Sequence, residues 1–238
     1  MKRLFSLSPR LQAVADLVPN TRLVDVGTDH GRLPVWLVCR GLVPRAVATD
    51  LRPGPLSRGQ ELARRWDVSE QISFRLCDGL ASVSPEEAEV VTIAGMGGET
   101  IAGILQAAPW VKERNCACIL QPMSGADGLR RYLSDNGFAI LQEILVLEEE
   151  TLYVILQAQK GEMAPLTPGE IWVGRQTQGM KSPLRERYLE QELGKLRWAV
   201  EGLKCSQRPE DRKKQEWFQQ AVQDVEWMKK EWEQWQQS

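Results

Sequence analysis

The sequence has a single histidine, His30, and no C-x-x-C pair among its five cysteines, Cys39, Cys77, Cys116, Cys118 and Cys205. One histidine excludes a His-rich metal site, so no metal is expected. An odd cysteine count, with no long apolar core in the opening MKRLFSLSPRLQ, predicts reduced thiols in a cytoplasmic protein. No apolar run approaches the ~20 residues of a membrane span, so no membrane partner is expected. Neither sign of charge dominates. Thirty Lys and Arg against 32 Asp and Glu leave a net charge of −2, so bulk charge advertises no nucleic-acid partner; only local basic patches could supply one. Internal repeats are lacking too. At 238 residues the chain holds one domain of ordinary size plus an appendage, or two small domains.

What is present is an alternation. An amphipathic helix is predicted over Ser8–Val18, with Arg10 off its apolar face. Short strands are predicted at Arg22–Val26, Ala46–Thr49, Ile72–Leu76, Val90–Ile93 and Cys116–Leu120, with helices between them. Two longer strands, Ala139–Leu147 and Leu152–Gln159, flank the acidic turn Glu148-Glu149-Glu150 and read as a terminal antiparallel pair. The pattern predicts an α/β fold: a mostly parallel seven-stranded sheet with helices on both faces. Residues 1–160 would form this domain and 161–181 a Pro/Gly-bearing linker. Residues 182–238 would form an antiparallel helical hairpin resembling a coiled coil. Its seams are Leu189, Leu193, Leu196, Val200 and Leu203, then Phe218, Ala221, Val225, Met228, Trp232 and Trp235, with the break at Cys205–Arg208. The hairpin balances eleven basic against eleven acidic side chains. A monomer is expected, with the hairpin as the surface for any self-association.

In such sheets ligands bind beyond the carboxyl ends of the strands. The informative residues fall there: Asp25–Gly31, Asp50, Asp78, Gly95–Gly98 and Gln121. The stretch LVDVGTDHGRLP reads as strand, glycine turn and helix start, which puts free amides beside a nucleotide-sized ligand. It lacks G-x-G-x-x-G, and its carboxylate Asp29 would repel a pyrophosphate, which disfavours a nicotinamide dehydrogenase. A cationic ligand such as S-adenosylmethionine would tolerate that carboxylate; alternatively Asp29 only caps the next helix. Asp50 suits ribose hydroxyls, or is a solvated strand end. Asp78, with Gly79, suits an adenine edge, or is a turn residue. Gly95, Met96, Gly97 and Gly98 admit a flat group, or form a tight turn. Gln121-Pro122 offers an amide to a base edge, or ends a strand. Arg52, Arg58, Arg64 and Arg65, then Arg130 and Arg131, and Lys2, Arg3 and Arg10, are the local basic clusters, read either as solvated faces or as a path for phosphates.

LSPRLQAVADLVP, DVGTDHGRLP, ATDLRPGPL, RLCDGL, IAGMGG and ILQPM, in that order and followed by the helical C-terminus, resemble the bacterial tRNA (adenine-22-N1)-methyltransferases, the TrmK family. The resemblance covers Leu7 to about Gly161, and the hairpin more loosely. It implies a class I, Rossmann-like S-adenosylmethionine-dependent methyltransferase that modifies N1 of adenine 22 in the D-arm of tRNA. It implies a cofactor turn of Asp25, Gly27, Thr28, Asp29, His30 and Gly31, with Asp50 and Leu51 at the ribose, Asp78 and Gly79 at the adenine, and Ala94, Gly95 and Met96 alongside. Asp29 is the implied catalytic residue. Arg10, Arg32, Gly97, Gly98, Gln121 and Pro122 are the implied substrate contacts. The chain has Gly31-Arg32 where the family more often has Ala-Tyr, and Met123 where it often has Asn. Two alternatives stand beside this one: a methyltransferase for another RNA or a small molecule, and a non-catalytic cofactor- or RNA-binding module.

Overall fold

The computed structural model describes residues 4–204 and 208–237; Cys205, Lys2 and Arg3, and most of the expected break at Cys205–Arg208, lie outside them. The described chain divides into two compact units, one ending at Met163 and one beginning at Ala164.

The first unit alternates helix and strand: α1 (Pro9–Leu17), β1 (Leu23–Val26), α2 (Arg32–Cys39), β2 (Ala46–Asp50), α3 (Pro53–Arg65), β3 (Ile72–Leu76), β4 (Val90–Gly97), α4 (Gly98–Ala107), α5 (Trp110–Glu113), β5 (Ala117–Ser124), α6 (Ala126–Asp135), β6 (Phe138–Glu148) and β7 (Thr151–Lys160). The seven strands make one sheet in the order β3-β2-β1-β4-β5-β7-β6. Strands β1 to β5 pair in parallel, and β7 runs antiparallel to both β5 and β6. The order reverses between β1 and β4, the switch point at which open α/β sheets leave a crevice.

Strand periodicity divides the core in two. Val24 and Val26 of β1 join Val91, Ile93, Ile101, Leu105, Leu129 and Leu133 on the face covered by α4 and α6. Leu23 joins Val14, Leu33, Val35, Leu37 and Ala63 on the face covered by α1, α2 and α3. Asp25, two residues from Leu23, points toward that second face. All of β1 and β2 is buried, as a strand covered on both sides must be.

Several boundaries differ from the sequence expectation. The Pro-Gly-Pro run at Pro53–Pro55, a composition that reads as a turn, is the first turn of α3 behind the N-cap residue Arg52, because Pro53 at the first helical position forfeits only an amide that has no intrahelical partner there. Strand β4 continues through Gly95-Met96-Gly97, with register shifts against β5 between Ala94 and Gly97, and β5 continues through Gln121 and Pro122 to Ser124. Arg130 is not part of a solvated basic face. It is fully buried and forms a fork with Glu143 of β6, Nε to Oε1 at 2.9 Å and Nη2 to Oε2 at 2.7 Å.

The second unit holds α7 (Pro168–Val173), α8 (Arg185–Leu203) and α9 (Pro209–Gln237). Helix α7 lies inside the stretch expected to be an irregular linker. Thr167 and Glu170 form a capping box at its start, and Gly169 packs on Asp224 of α9, whose Oδ2 accepts from the Gly169 amide at 2.9 Å. Buried Arg185 donates to the carbonyls of Val173 (2.6 Å) and Gly174 (3.0 Å), which joins the start of α8 to the end of α7. Leu189, Leu193 and Leu196 of α8 are buried where α8 meets α9, and Ala221, Val225, Met228 and Trp232 are the buried residues of α9, which packs on α8 and α7. The ion pairs Lys229–Glu190 and Arg197–Glu226, each 2.7 Å, set the two arms antiparallel.

Removing one member of a buried ion pair strands the other, at about 3–5 kcal/mol. Glu143→Ala is therefore expected to lower unfolding free energy by about 3 kcal/mol in urea titration; a loss below about 1 kcal/mol would show that the fork contributes little.

Candidate active site

Parallel strands end together, so the turns after β1, β2, β3 and β4 open into one cleft of about 530 Å³. Of the residues singled out from the sequence, Arg10, Asp25, Gly27, Thr28, Asp29, His30, Arg32, Asp50, Leu51, Asp78, Gly79, Ala94, Gly95 and Met96 line it. The turn after β1 is tied to β2 twice: Thr28 N donates to the Thr49 carbonyl (2.9 Å), and Asp29 N donates to Asp50 Oδ2 (3.2 Å). Asp50 Oδ1 accepts from Arg52 N at 2.9 Å, so its carboxylate is fixed by two amides while each oxygen keeps a free lone pair for a hydroxyl. Gly27 takes a left-handed φ of 68°. That backbone favours glycine, and a Cβ there would lie 2.0 Å from Met96 Cε and push this methyl, the end of a flexible side chain, aside.

Asp25 is the unusual group. It is 4% exposed, its Oδ1 accepts from the Thr92 hydroxyl at 2.7 Å, and no cation pairs with it among the described residues. Burial raises its pKa from 3.8 to about 6, against the Thr28 and Thr92 hydroxyls that favour the anion, and with Asp50 repulsion adding to the rise. The Thr28 hydroxyl faces it but its Oγ1 is buried without a hydrogen bond of ordinary geometry. Thr92 was missed in the sequence, although a threonine inside the apolar run VVTIA is a usable signal.

Asp29 sits on the rim. Its backbone is left-handed (φ 51°), a conformation that aspartate tolerates, and its side chain is 66% exposed. Its Oδ1 lies 3.4 Å from His30 Nε2, which also faces Arg58 Nη1 at 3.3 Å. Asp78 is exposed at the end of β3.

Other expected residues lie elsewhere or are already engaged. Gly31 caps α2 and packs on α3; a Cβ there would meet Gly59 Cα at 2.9 Å. A Cβ on Gly98 would lie 2.1 Å from the Gly125 carbonyl oxygen, which makes this glycine a packing requirement between α4 and the start of α6, and Gly97 is the N-cap residue of α4. Gln121 is fully buried: Oε1 accepts from Arg10 Nη1 (2.5 Å) and Gly95 N (3.0 Å), and Nε2 donates to the Pro122 carbonyl (2.9 Å). It braces the β4 irregularity instead of offering an amide to a base. Arg32 donates to the Ser6 carbonyl at 2.8 Å and lies over the Phe5 ring. Among the described residues no three His, Cys, Asp or Glu are placed to hold a metal, and no helix is long and apolar enough to cross a membrane.

The Asp25 shift predicts a pH dependence of folding. Its folded pKa is raised, so its favourable contribution is complete below pH 4 and lost as pH rises through about 6. Asp25→Asn keeps an acceptor for Thr92 and cannot ionise. Its stability relative to the unaltered protein should climb by about 2–3 kcal/mol between pH 4 and 7 in the absence of ligand; parallel stability curves would contradict the shift.

Comparison with known proteins agrees with this geometry. Residues 7–156 match the family model for a methyltransferase domain. The Bacillus subtilis tRNA (adenine(22)-N(1))-methyltransferase is 34% identical over 157 residues, which is 66% of this chain and 66% of that one. The crystal structure of the Bacillus subtilis tRNA methyltransferase TrmK superposes with a TM-score of 0.82 at 26% identity, covering 94% of this chain and 99% of that one. Streptococcus pneumoniae Sp1610, solved with S-adenosyl-L-methionine, superposes with a TM-score of 0.77 at 32% identity over 91% and 100% of the two chains. By matched domain, sheet order and similarity across nearly the whole chain, the protein belongs to the TrmK family of methyltransferases.

Proposed function

We propose that the protein methylates N1 of adenine 22 in the D-arm of tRNA, with S-adenosylmethionine as the methyl donor. The observation that carries this is the cleft, where carboxylates from three successive strand ends face one cavity and the innermost, Asp25, is buried without a cation. The residues fit that cofactor: an anion waits for its ammonium group, fixed Asp50 suits two ribose hydroxyls, and Asp78 with the Gly79 turn suits an adenine edge. When bound, the cofactor supplies a methyl group on a cationic sulfonium.

N1 of neutral adenine has an in-plane lone pair and no proton, so no general base is required. The protein's task is alignment, together with stabilisation of positive charge arriving on the purine. Asp29 is the catalytic candidate. In the free protein water screens its exposed carboxylate, so its effect depends on a substrate covering the rim. The Watson–Crick edge must leave its pairing or stacking first, which costs a few kcal/mol. Exposed Arg52, Arg58, Arg64 and Arg65 on or before α3 supply local positive charge for the tRNA backbone. The hairpin would brace the tRNA, and its near-neutral balance assigns it a shape role more than an electrostatic one. A monomer in the cytoplasm completes this reading.

The test is transfer of radiolabelled methyl to an unmodified tRNA transcript with adenine 22, beside a guanine-22 control. Label on the first alone, with a reverse-transcription stop at that base, is expected; label on both or neither would refute the target. In the same assay Asp29→Ala should lower turnover roughly 10–100-fold while changing cofactor affinity less than about threefold. Equal losses would leave Asp29 a binding residue only.

A further inference from the structure

Strand β4 opens with Val90-Val91-Thr92-Ile93, and all four side chains are fully buried. Valine would fill the place of Thr92 with nearly the same shape. Burying a hydroxyl there costs free energy unless it is hydrogen-bonded, so the fold alone gives no reason for it. The sheet dictates what this hydroxyl can reach. Parallel pairing sets Thr92 in register with Asp25 of β1. Its Oγ1 lies 2.7 Å from Asp25 Oδ1 and 3.4 Å from the Val24 carbonyl oxygen. A hydroxyl has one proton to give, and the shorter contact takes it. Asp25 and Thr28 line the cleft, whereas Thr92 stands behind Asp25, outside the lining.

We propose that Thr92 is a positioning residue for the cofactor: it holds one oxygen of the Asp25 carboxylate from behind, favours the anion, and leaves the other oxygen to the ammonium group of S-adenosylmethionine. The proposal rests on the methyltransferase reading. Thr92 touches no part of the cofactor and acts only through Asp25.

Two arguments support it. A hydrogen bond to an ionised acceptor is stronger than one to a neutral acceptor, so this hydroxyl binds the carboxylate more tightly than the carboxylic acid. The balance at Asp25 is also close enough for one hydroxyl to matter. Burial raises its pKa to about 6, the Thr28 and Thr92 hydroxyls oppose the rise, and Asp50 of β2 adds repulsion. The other charged or titratable groups facing this cleft are Arg10 of α1, Asp29 and His30 of the turn after β1, Arg32 of α2, Arg52 before α3, and Cys77 and Asp78 after β3. A substitution at Thr92 leaves all of these in place. Without its hydroxyl Asp25 would keep its proton to higher pH, and a cationic ligand would have to expel that proton before pairing with the anion.

The test is calorimetric binding of S-adenosylhomocysteine, which keeps the ammonium group and withstands alkaline buffer. It compares the unaltered protein with Thr92→Val, Thr92→Ala and Thr92→Ser, while carboxyl-carbon NMR follows the Asp25 titration. A hydrogen bond to a charged group is worth roughly 10- to 100-fold, so Thr92→Val should move that titration up by about one to two pH units. It should weaken binding roughly 5- to 50-fold near pH 6 but less than about twofold near pH 8.5, where Asp25 is ionised in both proteins. Thr92→Ala removes the same hydroxyl and should show the same pH dependence, which keeps the test intact if one variant fails to fold. Thr92→Ser retains the hydroxyl and should stay within about threefold at both pH values. Weakening that is equal at both pH values, or that Thr92→Ser reproduces, would make Thr92 a packing residue and overturn the proposal. An Asp25 titration that moves without any change in affinity would overturn it as well, because the ammonium group would then bind elsewhere. An unaltered protein that binds no S-adenosylhomocysteine at either pH would instead sink the methyltransferase reading itself.

Discussion

The site depends on one carboxylate, Asp25, placed where water cannot solvate it and no side-chain cation among the described residues neutralises it. Strand β1 is central in the parallel sheet and covered on both faces, so every side chain on it is buried, the polar one included. Burying an ion without a partner is costly, and the group responds by holding its proton up to about pH 6. The Thr92 hydroxyl on the neighbouring strand lowers that cost without cancelling it. A carboxylate kept in this state stabilises nothing by itself above pH 6; it gives a cationic ligand something to bind.

The surroundings keep that end of the cleft open and rigid. Gly27 leaves space for Met96, and Asp50 fixes the turn through the Asp29 amide. Gln121 ties the irregular end of β4 to Arg10 on α1, and Glu148 at the end of β6 closes the network. The antiparallel pair β6 and β7 thereby contributes to the site as well as to the sheet edge. Gly98 and Gly125 allow the close backbone approach between the start of α4, which lines the cleft through Thr100 and Ile104, and the start of α6.

The fold was largely legible because its signals are local: apolar runs alternating with helical periodicity mark a mostly parallel seven-stranded sheet with a terminal antiparallel pair, while the strand order comes from the structure. The positions of Asp50 and Asp78 at strand ends followed directly. Tertiary burial was not legible. Arg130 in an amphipathic helix looks solvated until Glu143, thirteen residues on, is seen to face it. Gln121 at an apparent strand end looks available to a base until Arg10, from a helix more than a hundred residues earlier, takes its oxygen. Gly31 reads as part of a ligand turn, whereas its contact with Gly59 comes from α3. Helix α7 is six residues long and begins Pro-Gly, a composition that suggests a loop unless its packing on α9 is known.

The most direct test of the central claim is proton release on cofactor binding, measured by calorimetry in buffers of different ionisation enthalpy. If the ammonium group of S-adenosylmethionine drives Asp25 to its anion, binding near pH 5 should release roughly one proton, falling toward zero above pH 7, and Asp25→Asn should release none. Binding without proton release at pH 5, or release that persists unchanged in Asp25→Asn, would contradict a cleft organised around this carboxylate.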